Sequence, residues 1–242
     1  TNQLAVHLAR IYQRGFKVDL TVLEEVRKEF EQEKQELTVK LEEQVHELMG
    51  DRPINLNSPE QLSWIIYSRK VNDKPTWAEA YDDRVSNTQH TDNIRRLTTK
   101  LYKQKAERCN ECYGSGQIRK TRKDGTPHKN TNKCPTCSST GFLYTNKKDF
   151  AGLKFIAPDY KWASANGFST SKGNLIYLEG IARSRGMHDA EAFLQRVRRL
   201  SALDTYLSSF VEGIATHVKP DGMLHVRLLQ HRTGTGRLSG AD

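Results

Sequence analysis

Apolar positions recur at helical spacing along most of this chain. From Leu20 to Met49 there is no Gly or Pro, and Leu23, Val26, Phe30, Leu37, Leu41, Val45 and Leu48 return near a seven-residue spacing, separated by runs such as EFEQEKQE. The pattern predicts one long helix with a narrow apolar seam, packed on one or two partners; a free coiled-coil dimer is the alternative. Asp19 is placed to cap its start and Gly50 to end it. Ahead of it, Leu4, Val6, Leu8, Ile11 and Tyr12 make Thr1 to Arg14 an amphipathic helix that Gly15 can close, followed by the extended turn GFKVD. Behind it, INLNSPEQLSWIIY predicts a second helix. Ser58 is its cap, Pro59 its first residue, Gln61 the partner in a capping box, and Leu62, Ile65 and Ile66 its buried face.

The C-terminal third repeats the theme. FSTSKGNL opens a helix capped by Ser169 or Thr170. Asp189 to Ala215 then carries Phe193, Val197, Leu200, Leu203, Leu207, Phe210 and Ile214 on one face. Lys219-Pro220-Asp221-Gly222 reads as a turn, and the residues after it alternate as a strand. In the middle the pattern loosens. The polar stretch from Trp77 to Arg108 predicts helix in its second half only. IRKTRKDGTPHKNTNK predicts a hairpin turning at Asp124-Gly125, and Tyr144 to Gly167 reads as irregular.

Composition sharpens this picture. Over 242 residues only 36% are apolar, and the mean hydropathy is −0.73. That is too polar for one large round core and points to a mainly α fold of elongated helices. A net charge of +9 argues for a polyanionic partner, with nucleic acid first. Arg183, Arg185, Arg196, Arg198 and Arg199 concentrate part of that charge near the last long helix. No apolar run approaches the length of a membrane span, so no membrane partner is expected.

All four cysteines lie in one stretch, CNECYGSG and then CPTCSSTG, as two CxxC pairs. Such pairs put two sulfurs on one side of a metal, and two of them close a tetrahedral site. Cys109, Cys112, Cys134 and Cys137 are therefore the candidate ligands of one structural zinc, with Gly114, Gly116 and Gly141 turning the backbone behind them. The alternatives are two disulfides or a redox pair. No signal peptide precedes the cysteines, which favours a reducing compartment, and no βαβ pattern surrounds a single CxxC. His128 lies between the pairs and reads as a loop histidine. Arg119, Lys120, Arg122, Lys123, Lys129 and Lys133 face one acid, Asp124, so the pinned hairpin reads as a cationic, phosphate-binding finger; a solubilising tip is the alternative. The CxxCxGxG form resembles the zinc-binding modules of J-domain chaperones over this segment alone.

Four stretches in order resemble a family A DNA polymerase, the bacterial DNA polymerase I group and its phage relatives. GFKVD resembles the family's G-[IV]-x-[VI]-D at the first thumb helix. INLNSPEQL resembles F-N-x-x-S-x-x-Q-L. FSTSKGNL followed by RRLSALDTYL resembles S-T…R-x-L…T-Y. DGMLHVRLLQHRTGTGRLSG resembles D-G-R-[IV]-H…Q-x-x-T-x-T-G-R-L-S. The chain departs from the family at Ala202, where lysine is frequent, and in a long tip insertion that holds the zinc module.

The resemblance implies an antiparallel helical thumb. Its parts would be residues 1–73, an insertion over 74–168 with its zinc core at 107–144, a second part over 169–218, and the start of a palm over 219–242. It implies a grip on primer–template DNA in replication, in the cytoplasm of a bacterial or phage-infected cell. Asn57, Ser58, Ser169, Thr170 and Lys172 would meet phosphates, and Arg237, supported by Thr235 and Gln230, would reach the primer–template. The alternative for Arg237 is a structural arginine between thumb and palm. No Asp or Glu stands in the context of the family's catalytic carboxylates, so no catalytic residue is nominated and this chain alone is expected to be inactive. The magnesium ions would belong to a palm–fingers partner in the same or a separate chain. A processivity factor, helicase or primase is the partner the insert would recruit. The alternative function is a non-catalytic zinc-containing DNA-binding adaptor or a partner-docking module.

Overall fold

The structure, a computed structural model, describes residues 3–81, 86–121, 127–229 and 237–241. In chain order it begins with α1 (Gln3–Arg14), β1 (Phe16–Lys17), α2 (Leu20–Met49), α3 (Pro59–Tyr67), β2 (Arg69–Val71), α4 (Lys74–Glu79) and α5 (Asn87–Leu97). The middle is β3 (Thr98–Lys100), β4 (Tyr102–Arg108), β5 (Gln117–Thr121), β6 (Pro127–Lys133), β7 (Phe142–Phe150), β8 (Ala163–Ser164) and β9 (Gly167–Phe168). The last part is α6 (Lys172–Ser184), α7 (His188–Thr205), a π-helical stretch (Tyr206–Val211), α8 (Glu212–His217), β10 (Met223–Leu224), β11 (Arg227–Leu229) and β12 (Ser239–Ala241). The fold is mainly α, and the strands pair only as small two-stranded antiparallel sheets.

The chain forms two compact units, one of Thr1–Val39 with Arg198–Asp242 and one of Lys40–Val197. In the first, β1 pairs with β10, Phe16 opposite Leu224, and β11 pairs with β12. The N-terminal part of α2 starts where Asp19 predicts: its Oδ1 accepts from the amides of Thr21 and Val22 at 3.0 and 3.2 Å. Its seam residues Leu23, Val26 and Phe30 line an apolar groove with Tyr206, Phe210, Val211 and Ile214. Ion pairs rim this part of the helix: Arg199 to Glu33 at 2.6 Å, Lys34 to Asp204 at 2.6 Å and Arg27 to Glu212 at 3.0 Å. In α1 only Leu8 is buried, and Leu4, Val6, Ile11 and Tyr12 stay exposed.

The helix predicted over Asp189 to Ala215 is there, but not in one phase. The π-helical stretch spends an extra residue on its turn, which rotates the following face. Val211 is therefore buried in place of Phe210, which is 56% exposed. The even 3.6-residue extrapolation put Phe210 inward, and that expectation is corrected.

In the second unit, Leu41, Val45 and Met49 complete the α2 seam in the buried state, beside fully buried Ile65, Ile66, Trp77, Leu178, Phe193 and Leu194. Tyr67 and Trp77 both pack against Phe168, the first tilted with ring centroids 4.8 Å apart and the second edge-on at 5.1 Å. The segment after β7 ties down helix ends that would otherwise leave carbonyls unpaired. Gly152 N–H donates to Leu48 O, Leu153 N–H to Ile65 O, and Phe155 N–H to Ile66 O, at 2.7 to 3.0 Å.

Three local expectations are corrected here. The second half of Trp77 to Arg108 is helical only as far as Leu97, and from Thr98 onward it runs as β3 and β4. Gln61 does not reach back to Ser58; its Oε1 accepts from Asn55 N–H at 2.7 Å, because the loop before α3 doubles back that far. The reciprocal capping box lies instead between Ser86 and Gln89, at the start of α5. Part of the stretch read as irregular is strand: β7 pairs with β4 from Arg108–Phe142 to Tyr102–Phe150, since its apolar residues and threonine find a partner strand far away in sequence.

Candidate metal centre and anion-binding cleft

The two CxxC turns repeat each other at an offset of 25 residues, bond for bond. Cys109 N–H donates to Gly141 O at 3.0 Å, and Cys134 N–H donates to Gly116 O at 2.9 Å. Gly116 N–H donates to Cys112 Sγ at 3.3 Å, and Gly141 N–H to Cys137 Sγ at 3.2 Å. The Ser115 hydroxyl donates to Cys112 O and Gln117 O, and the Thr140 hydroxyl copies it on Cys137 O and Phe142 O. Each turn passes through left-handed backbone at matching places, with φ of 51° at both Tyr113 and Ser138 and of 69° and 77° at Gly116 and Gly141. A Cβ on Gly116 would stand 2.3 Å from Ser139 O, and one on Gly141 would stand 2.3 Å from Gly114 O. The knuckles thus close on each other's backbone, which only glycine permits.

The four sulfurs are buried and unbridged, and all lie within 4.8 Å of one another. Cys109 and Cys134 are 3.8 Å apart, Cys112 and Cys137 3.6 Å. Metal–sulfur bonds of about 2.3 Å in a tetrahedron require edges of about 3.8 Å, so the set fits a single four-coordinate ion. Crowding sets the four thiols against one another. Burial pushes the Cys112 thiol up, but amides of Gly116 and Gly114 and the sulfurs of Cys137 and Cys109 outweigh it and draw it down to about 7. At Cys134 the amide of Cys137 pulls down, but burial and the crowding of Cys137 and Cys109 win, raising it to about 12. Ile118 and Leu143 cover the cluster. Glu111 accepts from the Thr136 hydroxyl and so ties one knuckle to the other.

The hairpin leaves this centre as β5 and β6, paired from Gln117–Lys133 to Thr121–Pro127. Arg119 sits on β5, exposed and opposite Thr131, and Lys120 follows it on the same strand. Arg122, Lys123 and the Asp124-Gly125 turn lie outside the described residues, as do Gln230 and Thr235. His128 falls on β6.

A second site gathers residues from opposite ends of the unit. Pro59 and Glu60 of α3 and Ser164, Asn166, Phe168, Ser169, Thr170 and Ser171 line one cleft of about 300 Å³. Two bonds from α3 hold the far segment there: Tyr67 OH donates to Ser169 O at 3.0 Å, and Phe168 N–H donates to Ser63 Oγ at 3.2 Å. Burial accordingly holds the Tyr67 phenol well above its ordinary range. The amino ends of two helices meet at this cleft. Ser58 caps α3, and the cap of α6 is Ser171, not Ser169 or Thr170 as expected. Ser169 instead accepts the Ser171 N–H on its hydroxyl at 3.4 Å, which shifts the cap two residues onward. Three neighbouring hydroxyls made the cap ambiguous in sequence, and Ser171 was missed for that reason. Lys172, the first residue of α6, and Asn57, just before the α3 cap, are exposed. Glu60 is the one acid lining the cleft, and Lys74 pairs with it at 2.9 Å. Helix amino ends with hydroxyls and lysines suit a phosphate.

Arg237 lies in the other compact unit, exposed and just before β12. Among the arginines expected to enrich the last long helix in charge, Arg183 pairs with Glu179 and Glu191, and Arg199 with Glu33.

No protein-family model matches the chain, and no curated protein matches it. Among solved structures, the POL domain of Pol1 from M. smegmatis, in complex with DNA primer-template and dNTP, aligns with a TM-score of 0.45 and 18% identity, covering 97% of this chain and 24% of that one. The chain thus spans about a quarter of the length of that distant structural neighbour, a DNA polymerase I POL domain.

Proposed function

We propose that this chain is the thumb portion, or a split subunit, of a family A DNA-directed DNA polymerase, and that it grips primer–template duplex by sequence-independent backbone contacts. The observation that carries the reading is how the four family-like stretches pair off. GFKVD meets DGMLH in the β1–β10 ladder. INLNSPEQL and FSTSKGNL line one cleft, and Ser63 and Tyr67, further along the helix that INLNSPEQL opens, bond to Phe168 and Ser169. Within each compact unit, stretches far apart in the chain thus come together in pairs, which supports this reading.

In this reading residues 1–73 and 169–218 are the two parts of the thumb, 74–168 its tip insertion, and 219–242 the start of the palm. The cleft at the amino ends of α3 and α6 takes backbone phosphates through Asn57, Ser58, Ser169, Thr170 and Lys172. Arg237, with Thr235 and Gln230, reaches the primer–template from the other unit. Cys109, Cys112, Cys134 and Cys137 hold one structural zinc, whose chemistry is cross-linking alone: it fixes the two knuckles and aims the basic hairpin. Nucleotide incorporation requires a palm and fingers, in the same or a separate chain, to hold the magnesium ions.

The test is a salt titration of duplex binding. Neutralising Arg119, Lys120, Arg122 and Lys123 together should flatten the slope of log affinity against log salt by about 0.9 per lost phosphate contact, with the helices intact. An unchanged slope removes the hairpin from the grip. Absence of duplex binding at low ionic strength ends the thumb reading. The exposed Tyr113 and Phe142 on the knuckle module favour a second reading, a partner-docking module. That reading gains if the protein ignores plain duplex but is retained by a replisome protein.

A further inference from the structure

Two cations of the 40–197 unit are pinned to one ring. Arg52, in the loop after α2, has its guanidinium carbon 5.5 Å from the centroid of Trp64, and Lys70, on β2, has its Nζ 5.4 Å from the same centroid. Cation–π contacts of this kind hold a charge in place without neutralising it. Arg52 also donates to Gln104 Oε1 at 3.4 Å, and the Gln104 amide donates to Asn146 Oδ1 at 3.0 Å. A continuous polar strip therefore runs from β2 over Trp64 to the β4–β7 ribbon.

Its charge is not balanced locally. Among the described residues no carboxylate comes within ion-pair distance of Arg52 or Lys70, whereas Lys74 has Glu60 and Arg183 has two acids. The acid next in sequence, Asp51, is already committed: Oδ1 to His46 at 2.9 Å and Oδ2 to the Ala106 N–H at 2.8 Å. Lys147 stands close enough to act on Asp51 electrostatically, which adds a third positive charge to the neighbourhood.

We infer that Arg52 and Lys70, with the amides of Gln104 and Asn146, form a phosphate track for the backbone of duplex DNA, distinct from both the basic hairpin and the cleft at the helix ends. The inference rests on the thumb reading and extends its grip to the root of the insertion. The donor set is the one that positions a duplex without reading it: guanidinium, ammonium and side-chain amides. Since both cations lie against one ring, they are no more than about 11 Å apart, a span of a few nucleotides at about 3.4 Å of rise each along a strand. Pinning by Trp64 means that little side-chain freedom remains to be lost on binding.

The experiment uses the full chain with its zinc and a plain 30-base-pair duplex. R52Q/K70Q, checked for unchanged zinc content and helical circular dichroism, should flatten the salt slope by about two units. Duplex should also protect Lys70 of the unaltered protein from acetylation, read by mass spectrometry, while Lys28 on α2 stays reactive. An unaltered slope in R52Q/K70Q, together with equal Lys70 acetylation with and without duplex, overturns the track and leaves the thumb reading standing. No duplex binding by the unaltered protein overturns both. A slope flattened by R52Q/K70Q but not by neutralising the hairpin keeps the track and removes the hairpin.

Discussion

Gly116 and Gly141 contribute no side chain, yet each stands where a single added carbon would strike the opposite knuckle at 2.3 Å. Gly116→Ala and Gly141→Ala should each cost about 1–3 kcal/mol in backbone strain alone, and the clash adds to that. The readout is zinc lost to a competing chelator, faster in either variant than in the parent. Their role was half legible: CxxCxGxG spacing marks a tight turn, but only the assembled pair reveals which carbonyl each glycine must meet. His90 was not legible at all. It is buried against Tyr81 and Phe168, and burial holds its imidazole below the ordinary 6.5, with the Ala157 backbone and Asp159 pulling the other way. The folded state therefore binds its proton less readily than the unfolded chain. Stability from this site is complete above about pH 6.5 and is lost as pH falls from there through the depressed folded value. Melting at pH 7.5 and at 5.5 should show the drop, and His90→Phe should lessen it.

Helices were legible where their periodicity was long and their ends chemically marked. α2 runs from Leu20 to Met49 as its seam and caps predict. The α7–α8 run failed at one point, because an extra residue in a π turn is invisible to a 3.6-residue count. The strands in the middle of the chain were harder still. β4 and β7 are short of alternation and gain their pairing chiefly from each other, with one further bridge from Gly50 to Gln104. Within α2, buried apolar contact outweighs exposed charge. Leu41→Ala, at a fully buried position, should cost about 2–5 kcal/mol by denaturant unfolding. Glu33→Gln breaks the 2.6 Å contact with Arg199 on the surface and should change little or nothing.

Across the molecule, the excess of positive charge is real but unevenly usable. Arg27 and Lys34 of α2, Arg183 of α6 and Arg199 of α7 are spent on ion pairs with Glu212, Asp204, Glu179 and Glu191, and Glu33. In the 40–197 unit, cations stand on the hairpin strand, at the helix-end cleft and around Trp64. We propose that the CxxC module depends on a bound zinc, while the helices have buried cores of their own. Chelation should therefore release one zinc per chain and loosen the β5–β6 hairpin, seen as faster amide exchange there, with helical circular dichroism kept. Loss of the helical signal along with the metal would contradict this division.

Short-range rules had already marked the span of α2, the cap at Asp19 and the two CxxC turns that gather four cysteines, because periodicity, capping and CxxC turns act within one or two turns of chain. Folding alone decided what depends on closure over long separations: the meeting of Tyr67 with Ser169, the pairing of β1 with β10, the knuckles facing each other's carbonyls, and which cations find an acid and which find an indole ring. Those outcomes rest on where remote backbone is brought, and no local pattern of residues encodes a destination.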